Sequence, residues 1–109
     1  MNTVLLIASG KKYREILFND YHLIKDQANV VVYTDNVDDI KSKINSIDVR
    51  QYTHQTFRYF DKYVLTHLLT KEINAPVLYV DVGRLNYFKF TNYPEMVMYT
   101  SQPFNEHVK

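Results

Sequence analysis

Residues 76–85 read PVLYVDVGRL, and the reading of this stretch decides the fold. Val77 to Val80 is a run of β-forming residues, opened by Pro76 and closed by Asp81, Gly83 and Arg84. A short apolar run bounded by such breakers predicts a buried strand. Its end on an acid has two readings. One is an acidic turn that caps a loop. The other is a site, because open α/β sheets place ligands outside the carboxyl ends of their strands.

Upstream, Thr56 to Ile73 predicts the longest helix, with Phe57, Phe60, Val64, Leu65, Leu68 and Leu69 as one broad apolar face. Asn74-Ala75-Pro76 stops it, since proline cannot continue the hydrogen-bond ladder. Earlier, Val4 to Ala8 and Val30 to Tyr33 are continuous apolar runs that predict strands covered on both faces. Between them Tyr13, Ile16, Leu17, Tyr21 and Ile24 recur at helical spacing over Lys12–Lys25. Val37, Ile40 and Ile44 predict a short helix, capped by Asn36, with Asp38 and Asp39 in its first turn and Lys41 and Lys43 near its end. Ile47 to Tyr52 alternates and predicts an edge strand, and Met96 to Thr100 predicts a last one. Gln102 to Lys109 shows no pattern. Strands and helices thus alternate, which predicts an α/β domain with a mostly parallel sheet and helices on both faces.

The totals agree with one domain: 109 residues, 46% hydrophobic, with 10 Tyr and 6 Phe. A formal net charge of +1 gives no electrostatic case for nucleic acid as a partner. The absence of cysteine excludes disulfides, thiol catalysis and thiolate metal sites. The opening MNTVLLIASG carries an apolar run of five residues, too short for a signal peptide or a membrane span, so a cytoplasmic protein is expected.

Several chemistries are missing. Gly10 and Gly83 are the only glycines, so neither a dinucleotide fingerprint nor a phosphate-cradling P-loop can form. No serine sits in a nucleophile elbow. His22, His54, His67 and His107 make no pair at metal-ligand spacing.

The run FRYFDKYVLTHLLTKEINAPVLYVDVGRL, residues 57–85, resembles the segment of GT-A-type glycosyltransferases that leads into their Asp-x-Asp motif. VLLIASGKKYREIL looks like the first strand and helix of that fold, and VVYTDN like its second strand. The likeness spans residues 3–100 in layout, with 57–85 its distinctive part. It implies a Rossmann-like GT-A-type three-layer sandwich, here truncated, that binds a nucleotide-diphospho-sugar and transfers the sugar to an unidentified acceptor. The nucleoside would lie near Ala8, Ser9, Gly10 and Asp35. Asp81 takes the place of the first acid, which in the family holds a divalent cation, manganese or magnesium, against the diphosphate.

The chain departs from that pattern at Gly83, where the second acid would stand. Arg84, and from the preceding helix Lys62 and less so Arg58, offer another means of neutralising the diphosphate. Only 24 residues follow Leu85, so an acceptor-binding half is not expected in this sequence.

Plainer readings stand beside these. Gly83 could serve a turn of positive φ, and Asp35 could compete with Asn36 for the helix cap. Arg58 and Asp61, at i and i+3, read as a solvated ion pair, which leaves Lys62 as the better phosphate ligand. The aromatic cluster Tyr87 to Tyr93 is the best place for an acceptor or partner surface. The alternative to a transferase is a degenerate, non-catalytic α/β module in protein interaction or assembly, with a possible homo-oligomer as its sign. A receiver-type regulatory domain would want paired acids after the first strand, and Ala8-Ser9-Gly10 supplies none.

Overall fold

The computed structural model describes residues 2–53 and 58–87. Four strands, β1 (Thr3–Ala8), β2 (Asn29–Thr34), β3 (Asp48–Gln51) and β4 (Val77–Tyr79), form one sheet in the order β3-β2-β1-β4. Every pairing is parallel: Val4 lies opposite Val30 and Leu78, and Val32 opposite Val49. The helices are α1 (Lys11–Asp20), α2 (Val37–Lys43) and α3 (Arg58–Ile73). The described residues therefore form an α/β fold with an all-parallel four-stranded sheet, in keeping with the alternation. The strand expected at Met96 to Thr100, the aromatics Phe88, Phe90 and Tyr93, and the helix start expected at Thr56 and Phe57 lie outside the described residues.

The strand order explains why helices occupy both faces. The chain steps from β1 to β2 to β3 in one direction, then returns past β1 to add β4 on the other side. Right-handed crossovers that run in opposite directions must pass over opposite faces. Alternation along the strands divides the core accordingly. Val4, Leu6, Ala8, Val30, Val32, Leu78 and Val80 point to the side of Leu17 of α1 and Ile40 of α2. Leu5, Val31, Tyr33 and Val77 point to Leu65, Leu69 and Ile73 of α3.

Local chemistry sets the start of α2 as expected. Asn36 caps α2, its Oδ1 accepting the Asp39 N–H at 3.0 Å, which settles the competition with Asp35. The predicted Lys12–Lys25 helix is shorter: α1 ends at Asp20 and tightens into a 3₁₀ turn at Tyr21–Leu23. The tighter turn draws Ile24, fully buried, into the core beside Ala28.

The broad apolar face expected on α3 is split. Leu69 is buried and Leu65 and Ile73 pack on the sheet, but Phe60, Val64 and Leu68 are 44%, 43% and 54% exposed. The helix seats itself along the line 61-65-69-73, and a rotation of about 100° per residue carries 60, 64 and 68 off the sheet. Two polar fastenings fit this rotation. Asp61 receives the Tyr52 hydroxyl at 2.6 Å, and Glu72 receives the Arg50 guanidinium at 2.6 and 2.8 Å. Residues 61 and 72 are about three turns apart on one flank of the helix.

Candidate ligand-binding site

A cavity of about 500 Å³ opens at the carboxyl end of the sheet, where the strand order reverses between β1 and β4. Ile7 and Ser9 reach it from β1 and the turn after it, and Tyr13 from α1. Tyr79 and Asp81 come from the end of β4, and Val82, Gly83 and Arg84 from the 3₁₀ turns Val82–Tyr87, kinked at Arg84. Tyr52, just beyond β3, and Lys62 of α3 complete the wall. Ile7 and Tyr79 share the sheet face that α3 covers, so the cavity lies on that side.

Of the residues singled out in the sequence, Ser9, Lys62, Asp81, Gly83 and Arg84 line this cavity together. Ala8, Gly10 and Asp35 do not. Ala8 is fully buried in the core under α1. Gly10, at φ +93°, joins β1 to α1 and donates its N–H to Asp35 Oδ1 at 3.0 Å. The same oxygen receives Arg14 Nη1 at 2.7 Å, while Arg14 Nε reaches Asp39 at 2.8 Å. Asp35 thus clasps the turn after β1 to the turn after β2. Burial opposes its charge, but the Gly10 N–H and the Arg14 guanidinium outweigh it and hold the carboxyl below its ordinary value. Asp39 is held low by Arg14 first and by Lys43 second.

One plainer reading is corrected, and another in part. Gly83 does not occupy a positive φ; only Gly10 does among the described glycines. A Cβ at position 83 would meet nothing within 4 Å, so the backbone there does not require glycine. Asp61 is buried rather than solvated: it is 1% exposed and accepts the Tyr52 hydroxyl, and its expected pairing with Arg58 lies outside the described residues. A hydroxyl donating to a carboxylate at 2.6 Å is a short, charge-assisted bond. The side chain of Arg58 lies outside the described residues.

The tyrosines are what sequence reasoning missed. Tyr79 donates its hydroxyl to Asp81 Oδ1 at 2.8 Å. Burial, then that bond, push its phenol above the ordinary range. Lys62 Nζ sits 5.7 Å from the centre of the Tyr79 ring, within reach of the negative ring face. The signal was present in the period of two, which puts Tyr79 and Asp81 on the same side of the strand.

The donor set bears on the metal that the Asp-x-Asp resemblance implies. Among the described residues no three His, Asp or Glu side chains come together where a cation could be held. Among them Asp81 is the only carboxylate lining the cavity, and Lys62 and Arg84 line it too. One carboxylate facing two cations is a poor fit for a divalent ion. Among the described residues no helix is long and apolar enough to cross a membrane.

The chain matches no family model, no curated protein and no solved structure.

Proposed function

We propose that the chain binds a nucleotide-diphospho-sugar in the manner of the donor half of a GT-A-type glycosyltransferase, presenting the sugar for transfer to an acceptor. The observation that carries this reading is the cavity at the strand-order reversal, where Lys62 and Arg84 converge from two different elements. Crevices at this point of an open parallel sheet are where such folds take their ligands. Charge from Lys62 and Arg84 suits a diphosphate, the tyrosine walls suit a flat ring, and Asp81 suits hydroxyl donors of a sugar. Asp35 has no part in it, being committed to Gly10 and Arg14.

Thermal unfolding of the full chain with uridine diphosphate and guanosine diphosphate tests the reading. A ligand at about 100 times its dissociation constant stabilises the fold by about 2.7 kcal/mol. No shift with either nucleotide would refute it.

The second reading, an interaction or assembly module, draws on the exposed row Phe60, Val64 and Leu68. A stable protein interface needs about 800 Å² from each partner. Three side chains of one helix fall well short of that, so this reading takes second place. Light scattering separates the two, since an assembly module would form a defined oligomer that Val64→Glu disperses.

A further inference from the structure

Resting on that reading, we propose that the cavity takes its diphosphate without a divalent cation, with Lys62 and Arg84 meeting the phosphate charge directly. The first support is the donor set. Among the described residues the only carboxylate lining the cavity is Asp81, and its Oδ1 already receives the Tyr79 hydroxyl at 2.8 Å. Position 83, where a second acid would stand, is a glycine facing open space. Room for a carboxylate exists there, but the carboxylate does not.

The second support is the state of the arginines. Arg14 is held by Asp35 and Asp39, and Arg50 by Asp48 and Glu72. Arg84 is exposed, lines the cavity, and forms no ion pair among the described residues. Its fork of donors can take two phosphate oxygens at once. Lys62, held beside the Tyr79 ring, adds a second positive charge from α3. A divalent ion beside Asp81 would share the cavity with both cations and be repelled by them, whereas a diphosphate is attracted by both.

Titration calorimetry of the full chain with uridine diphosphate and guanosine diphosphate, in chelator and in manganese, decides the matter. We expect the affinity to change by less than about threefold between the two buffers, and Lys62→Ala and Arg84→Ala each to weaken binding about tenfold. Arg84→Lys should recover part of that loss, and in Asp81→Asn the affinity should stay as insensitive to manganese as in the wild type. Unchanged melting temperatures show that these variants fold. Gly83→Asp supplies the missing acid, and its binding should become manganese-dependent. Loss of wild-type binding in chelator, restored by manganese and abolished by Asp81→Asn, would overturn this inference while leaving the donor site in place. No binding of either nucleotide in any buffer would overturn both.

Discussion

Two glycines show how residue-scale constraints differ. Gly10 combines φ 93° with ψ 152°, a region open in practice to glycine alone. Gly10→Ala should destabilise the protein by roughly 1–3 kcal/mol, measured by urea unfolding. Gly83→Ala should leave stability unchanged or raise it by about 0.4–1 kcal/mol, because its Cβ meets nothing and the unfolded chain loses freedom. The pair Tyr52 and Asp61 is the other residue-scale device. Both are buried and bonded at 2.6 Å, so Asp61→Leu removes the acceptor of a buried hydroxyl and should cost about 1–3 kcal/mol. Asp61→Asn, which keeps an acceptor, should cost less in the same denaturation series. A spacing rule could not have found this bond, because it joins the residue after a strand to a helix whose rotation the sheet determines.

Between elements, the Arg14 clasp and the Asn36 cap act at different ranges. The cap is local: Asn36→Ala should cost about 1 kcal/mol, read from the denaturation midpoint. The clasp joins α1 to the start of α2 through Asp35 and Asp39, both held below the ordinary carboxylate value of 3.8. Groups with a lowered folded pKa stabilise above their unfolded pKa and lose that stabilisation as pH falls through the folded value. Arg14→Gln should therefore lower the midpoint at pH 7, and the gap from wild type should narrow as pH falls below 3.8 and close once both carboxyls are protonated in the folded protein. On the outer face of α3, Val64→Lys should leave stability nearly unchanged, since surface changes usually stay within about 0.5 kcal/mol. The sequence shows the amphipathic character of α3 but not its rotation. Phe60 and Leu69 are equally apolar, and the polar bonds of Asp61 and Glu72 mark which of them meets the sheet.

For the whole molecule, the order β3-β2-β1-β4 brings Ser9 to Asp81 and Arg84, residues more than seventy positions apart, around one cavity. Arg50 fastens the exposed edge of that sheet, lying between Asp48 and Glu72 and so tying β3 to α3. Breaking it with Glu72→Gln should ease local opening of β3, measured as faster amide exchange at Val49 and Arg50. Among the described residues, the sequence by itself determined the elements, their alternation and the parallel sheet, because hydrophobic period, caps and breakers act over a few residues. It also marked the strand end at Asp81 with its neighbours Gly83 and Arg84. Tertiary structure alone decided that Asp35 is spent on Arg14, that Asp61 is buried, and that Tyr13, Tyr52 and Tyr79 wall the cavity. These depend on which faces meet, and a face is chosen by the packing of distant strands and helices against one another.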